Sequence, residues 1–161
     1  MPDLAVTNSP ARQFCTFRAD GRLHGIELSS LREISTSIAI TPVPPAVPAV
    51  RGLANLRSKI LLVLDLRPLL GLAPAPCTPQ SRLLIFKPAI AQDTGLLVES
   101  GGDIVAVPQD RIETLDENPP GSKPAAGRQL ALVVGVSKLE QELMMIIDAA
   151  RLAGTVAQLL R

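Results

Sequence analysis

The sequence predicts a mostly β protein made of two similar small barrels in tandem, with short helices between strands and one helix at the C-terminus. Three observations lead there. Short apolar runs alternate with turn residues at close intervals. A buried strand that ends in Asp and runs into a helical pattern occurs twice. Each half holds about five short strands, in too few residues for a sandwich of its own. The 161 residues suffice for a core without staples.

Taken in order, residues 1–12 carry two prolines with Ser and Asn and no periodicity, which predicts a mobile tail, so the fold is expected to begin near Gln13. Phe14 to Phe17 and Leu23 to Leu28 bracket Ala19-Asp20-Gly21-Arg22, and Asp-Gly supplies the positive-φ residues of a tight hairpin. Leu31-Arg32-Glu33-Ile34 and a β-branched stretch over 37–41 follow. Four prolines within residues 42–48 then exclude helix and central strand. Gly52 to Lys59 is expected to form a helical turn or tight bend. Ile60 to Leu64 reads as a buried strand, and Asp65 as the cap of a short helix that tolerates Pro68 in its first turn.

Residues 73–81 have the composition of a linker. Beyond it, Leu83 to Phe86, Gly95 to Glu99 and Ile104 to Val107 read as strands, with a hairpin turn at Gly101-Gly102-Asp103. A Pro/Gly-rich stretch over 118–127 precedes two more strands, Leu130 to Val136 and Leu143 to Ile147. Asp148 opens the last helix, where Leu152, Val156, Leu159 and Leu160 recur near helical spacing. Ile60 to Asp65 matches Leu143 to Asp148, and Ile26, Leu31 and Ile34 match the spacing of Val107, Ile112 and Leu115. The two matches in the same order argue for an internal duplication. Two barrels side by side would leave a groove, a common place for a partner to dock.

Composition limits the function. Sixteen basic and fifteen acidic residues leave a net charge of +1 without blocks, which gives nucleic acid nothing to bind. Three Phe and no Trp or Tyr argue against stacking on bases or sugars. Cys15 and Cys77 have no partner spacing, as expected in a reducing compartment. The N-terminus lacks a signal-peptide pattern and no apolar run reaches spanning length, so a cytoplasmic protein without direct membrane insertion is expected.

The chemistry-bearing residues are sparse. His24 is the single histidine, so a metal site with two imidazoles is excluded and a strand histidine at or near the surface is expected. Asp116-Glu117 and Glu140 with Glu142 read as solvated charge. No phosphate-binding loop or nucleophile elbow is present. The expectation is no catalytic residue, no metal and no cofactor. The remaining feature is Pro42 to Arg67, where Arg51, Arg57 and Lys59 gather beside a buried strand.

Those residues carry a resemblance. Glu33-Ile34 after a strand, Thr41-Pro42-Val43-Pro44, Val50-Arg51-Gly52-Leu53-Ala54-Asn55-Leu56-Arg57 and Val63-Leu64-Asp65-Leu66-Arg67 look like CheW-type chemotaxis adaptors in order and spacing. The second half, through Gly95 to Glu99 and Ile146-Ile147-Asp148, follows more loosely. The resemblance implies two five-stranded SH3-like barrels in a single CheW-like domain over 13–161: a first barrel about 13–72, a second about 82–148, and a helix about 149–160 packing back.

It also implies a non-catalytic adaptor in the cytoplasm, recruited to membrane-associated receptor arrays. Such adaptors couple the cytoplasmic tips of methyl-accepting chemoreceptors to a CheA-type histidine kinase, whose binding face the sequence leaves unassigned. Carried over position by position, the receptor-facing candidates are Leu31, Glu33, Gly52, Asn55, Arg57 and Ser58. The guanidinium of Arg57 suits a carboxylate or helix-end carbonyls of a receptor helix laid in an apolar groove. The same Arg57 suits a structural bond to Glu33 or to a backbone carbonyl that fixes the bend. Ser58 stands where the family usually has Gly, which predicts a strained or altered backbone at a position needing φ > 0. The competing reading is a regulatory barrel that binds a small ligand between its halves.

Overall fold

The structure, a computed structural model, describes residues 10–36, 38–44, 47–115 and 132–160. The expectations for residues 1–9 of the tail, for Asp116-Glu117 and for the 118–127 stretch lie outside the described residues. Among the described residues twelve strands appear in this order: β1 (Ala11–Ala19), β2 (Arg22–Glu27), β3 (Leu31–Ser35), β4 (Ile40–Thr41), β5 (Val50–Leu56), β6 (Lys59–Asp65), β7 (Arg82–Phe86), β8 (Thr94–Val98), β9 (Ser100–Pro108), β10 (Ile112–Thr114), β11 (Val133–Lys138) and β12 (Leu143–Ile147). Helix α1 (Leu66–Leu69) follows β6 and helix α2 (Ala149–Leu159) follows β12. Both begin where sequence places them. The Asp65 carboxylate accepts from the Arg67 N–H at 3.1 Å and the Asp148 carboxylate from the Arg151 N–H at 3.0 Å, satisfying donors that a first turn leaves free.

The strands form two sheets of six, ordered β10-β11-β12-β2-β1-β9 and β3-β7-β8-β6-β5-β4. Each has five longer strands and one short edge strand, β10 or β4. The chain does not divide between them at residues 72 and 82. Hairpin β1–β2 belongs to the sheet of β9–β12, and hairpin β7–β8 to the sheet of β3–β6. The expected partition into a first barrel of 13–72 and a second of 82–148 is therefore corrected. One sheet draws on residues 11–27 and 100–147, the other on residues 31–98. Four ladders make the exchange: β12 beside β2 and β6 beside β8 in parallel, and β1 beside β9 and β3 beside β7 antiparallel.

With the hairpins exchanged, strands β1–β6 repeat as β7–β12, and every ladder of one sheet has its counterpart in the other. The registers extend the equivalence to residues. Gly25 lies opposite Ile146 and Gly95 opposite Val63. Gly52 also lies opposite Val63, and Gly135 opposite Ile146. Even the irregularities recur, between Val50 and Gly52 in one copy and between Val133 and Gly135 in the other. On this ruler the Ile60–Asp65 match to Leu143–Asp148 holds. The spacing match of Leu31 and Ile34 with Ile112 and Leu115 does not: Glu33 corresponds to Asp103 and Ile34 to Ile104, because β3 pairs with β7 as β9 pairs with β1.

Three further local expectations change. For Gly52 to Lys59 the helical turn fails and the tight bend holds only at its end. The segment is most of β5 and a turn at Arg57-Ser58, with β4 and β6 pairing on both sides. Gly101-Gly102-Asp103 is not a hairpin turn, since β8 and β9 lie in different sheets and the glycines sit in β9 with φ of 143° and 109°. Gly101 is needed because a Cβ there would lie 2.4 Å from the Thr16 carbonyl oxygen. His24 is buried, 3% exposed, on β2, stacked on Phe17 with ring centroids 5.8 Å apart. Its Nδ1 lies 3.0 Å from the Arg22 carbonyl oxygen, and burial lowers its pKa from the ordinary value.

Packing follows strand alternation. Leu61, Val63, Leu83 and Ile85 form one small apolar cluster, and Phe14, Val107, Met144 and Ile146 another. The opposite faces of both sheets meet the two helices in the largest cluster, which includes Phe17, Ile26, Leu64, Leu84, Phe86, Leu96, Leu152 and Val156. Each such side chain contributes about 1.5–3 kcal/mol by leaving water. The junction between the sheets is thus a filled core, not the groove expected from sequence. The void beside it, lined by Asp65, Leu66, Arg67, Cys77 and Glu99 among others, is about 20 Å³, room for about one water.

Candidate functional site

The six candidates separate by burial. Leu31, 5% exposed, starts β3 and packs in the core between the sheets, so it holds the strand and offers no surface. Gly52 is buried in β5 with φ of 149°, and a Cβ there would stand 2.2 Å from the Thr41 carbonyl oxygen. Glycine at this position is a condition for β4 to reach β5. Glu33, Asn55, Arg57 and Ser58 reach the surface. Asn55 pairs across the ladder with Ile60, and Arg57 and Ser58 form the two-residue turn between β5 and β6.

That turn has φ of 52° at Arg57 and 67° at Ser58. Two consecutive positive φ values are what a tight two-residue hairpin turn needs to match strand twist. The left-handed backbone expected of the family glycine is therefore retained with serine, and the strain is local.

The turn is tied to the far edge of its sheet. Arg57 Nη1 donates to Glu33 Oε1 at 2.7 Å. Because β3 is the edge strand opposite the β5 side of the sheet, this bond forms only if the sheet curls round on itself. The structural alternative for Arg57 is therefore realised, through Glu33 and with one contact. With the Arg57 side chain 74% exposed, such a pair is worth at most about 1 kcal/mol, so an incoming carboxylate can compete for the guanidinium. Arg32, Glu33, Leu56, Arg57 and Lys59 line an open depression of about 490 Å³ over this seam.

Sequence reading missed Ile60. It is 63% exposed, the most exposed of the large apolar side chains described, and stands beside Asn55 and Lys59. The signal was its position at the start of β6: strand alternation puts Leu61 and Val63 inside, but Ile60 falls on the outward face at the strand end. Arg51, at the other end of β5, is committed elsewhere. Its Nη1 donates to Asp65 Oδ2 at 2.9 Å, so the capping carboxylate also carries an ion pair. Arg67 donates to Glu99 Oε2 at 2.5 Å, and the Asp20 N–H donates to the same oxygen at 2.8 Å, fastening the β1–β2 turn to α1.

Cys15 is buried, and burial, with Asp103 adding, pushes its thiol up to about 11. Among the described residues no helix is long and apolar enough to cross a membrane. A curled sheet with a basic, partly apolar hairpin tip and a packed core defines a small β-barrel module.

The comparisons specify which. The CheW-like domain family matches residues 13–157, and the chain belongs to that family. It is 27% identical over 133 residues to the chemotaxis protein CheW of Bacillus subtilis (strain 168), covering 83% of this chain and 81% of that protein. With the chemotaxis protein CheW of Rhizobium meliloti (strain 1021) it shares 26% identity over 143 residues, 89% and 87% of the two. The crystal structure of the scaffolding protein TtCheW from Thermoanaerobacter tengcongensis superposes with a TM-score of 0.70 at 25% identity, covering 85% of this chain and 88% of that one. The two sheets are accordingly the two SH3-like barrels of this fold.

Proposed function

We propose that the chain is a non-catalytic adaptor of a chemotaxis or related chemosensory pathway, coupling cytoplasmic chemoreceptor tips to a CheA-type histidine kinase. The observation that carries the receptor half is the β5–β6 tip. Asn55, Arg57, Ser58 and Ile60 lie together and exposed, with Glu33 in reach, on a scaffold fixed by Gly52 and Leu31. A receptor helix would lay an aliphatic side chain against Ile60 and the stem of Arg57 while a carboxylate displaces Glu33 from the guanidinium. Membership of the CheW-like family and similarity to a scaffolding protein support the adaptor role. The small-ligand reading loses its basis, because the junction it needs is packed.

The test is reconstitution with a CheA-type kinase and a soluble receptor signalling fragment, scored for a ternary complex and for receptor-dependent autophosphorylation. The expected outcome is a ternary complex in which Arg57→Glu weakens receptor binding at least tenfold while the melting temperature stays within a few degrees. Absence of binding to either partner would refute the proposal. A large loss of stability in Arg57→Glu would return that residue to a structural role.

A further inference from the structure

We infer that the two repeats, residues 10–72 and 82–160, are obligate folding partners, and that a repeat from a second copy of this chain can fill the same place. The unit that folds is the pair, not the barrel. Each sheet takes one hairpin from the other repeat, and that hairpin occupies an interior place: β2 lies between β12 and β1, and β8 between β7 and β6. Removing a repeat would therefore leave four strands of one sheet with an open interior edge and the two strands of its own hairpin with no sheet to join.

The apolar clusters agree with this. Each of the three draws residues from both repeats; the small cluster of Leu61 and Val63 needs Leu83 and Ile85, and that of Met144 and Ile146 needs Phe14. Neither repeat can close a core alone. The only covalent link between them is the segment after α1, which has no strand or helix over 72–81 and is largely exposed from 73 to 80. That segment sets the local concentration of the partner and contributes no ladder. The surface involved comprises the two parallel seams and the antiparallel ladders β1–β9 and β3–β7, and its fit is close: a Cβ on Gly25 of one repeat would meet Met144 Sδ of the other at 2.5 Å.

The experiment uses the full chain with a site-specific protease sequence replacing residues 74–79, cleaved after folding. The two pieces should co-elute at the mass of the intact chain, with unchanged strand content and a melting temperature that now rises with concentration. Unfolding and refolding a mixture of isotopically labelled and unlabelled cleaved protein should give hybrid complexes as abundant as the parental ones in native mass spectrometry. Release of two folded monomeric pieces, or refolding of either alone, overturns the inference, and refolding without hybrids overturns its second clause.

A second measurement needs no variant and decides the first clause if the inserted site unfolds the chain. In hydrogen exchange of the unmodified protein in denaturant, the protected amides of β2, β6, β8 and β12 should open in one event. Separate opening of the two repeats or the two sheets would overturn it.

Discussion

The hairpin tips of the two repeats occupy equivalent places and carry different surfaces. Asn55 opposite Ile60 corresponds to Lys138 opposite Leu143, with four residues between the members of each pair. Both tips expose an aliphatic side chain, Ile60 at 63% and Leu143 at 57%. In the first tip the intervening residues are Leu56-Arg57-Ser58-Lys59, with two left-handed backbones. In the second they are Leu139-Glu140-Gln141-Glu142, with none. Arg57 reaches Glu33, whereas Glu142 holds Arg18 through two contacts of 2.7 and 2.8 Å, which lower the pKa of the Glu142 carboxyl. One scaffold thus presents a basic tip and an acidic one. The repeat preserves what the ladders require and leaves the tips free to diverge in residues that contribute little to folding.

The sharpest way to break that division is at the equivalent glycines. Gly52→Ala adds a Cβ 2.2 Å from the Thr41 carbonyl oxygen in a backbone with φ of 149°. Gly135→Ala adds one 2.9 Å from the Glu113 carbonyl oxygen without that backbone penalty. Chemical denaturation should show a loss of about 3 kcal/mol or more for Gly52→Ala and about 1–2 kcal/mol for Gly135→Ala. Equal losses would show that the first repeat is no more tightly constrained than the second.

The two capping aspartates come next. Asp148 caps α2, but Val134 holds the bulge position that Arg51 holds in the first repeat, where the guanidinium lies on Asp65. Asp148→Ala should cost about 1 kcal/mol, the value of a cap. Asp65→Ala loses the cap and strands a half-buried arginine, for about 2–3 kcal/mol. In Arg51→Met, Asp65→Ala should fall to the cost of Asp148→Ala, and a double-mutant cycle measures the difference.

A smaller effect separates His24 from its counterpart Thr94, both buried. The pKa of His24 is lowered chiefly by burial, so the unfolded chain takes up its proton first as pH falls. Stability is full above the ordinary histidine value of about 6.5 and is lost as pH drops below it. His24→Thr should flatten that slope in urea titrations at pH 5.0 to 7.5. A slope unchanged by the substitution would assign it to carboxylates.

Much of this was legible in sequence because it rests on local chemistry. Asp-Gly between two apolar runs gave the β1–β2 hairpin, and Asp65 and Asp148 gave both helix starts. The mutual bond of Glu33 and Arg57 was legible as one of two readings of Arg57. Non-local facts were not legible. A strand's sheet depends on the partner it meets across the chain, so the exchange of hairpins left no mark in the spacing of Leu and Ile. His24 was read as a surface residue because its stacking partner Phe17 comes from the adjoining strand. Leu31 was read as a contact because the motif marks where its strand begins, not which way its side chain faces.

The smallest expected effect bears most directly on the tips. Ser58 carries φ of 67° in a turn where glycine has no Cβ to crowd, so Ser58→Gly removes strain while adding chain entropy to the unfolded state. The strain term is about 1–2 kcal/mol and the entropy term about half of it, leaving a gain of about 0.5–1 kcal/mol. Thermal unfolding should register this as a rise of a few degrees. Gln141→Gly at the equivalent place in the second tip has no left-handed backbone to relieve and should lose stability instead. A gain at both tips would mean that glycine acts through the unfolded chain or through the turn in general. A gain at Ser58 alone would show that the first tip retains a strained backbone, at the place where the proposed receptor contact is made.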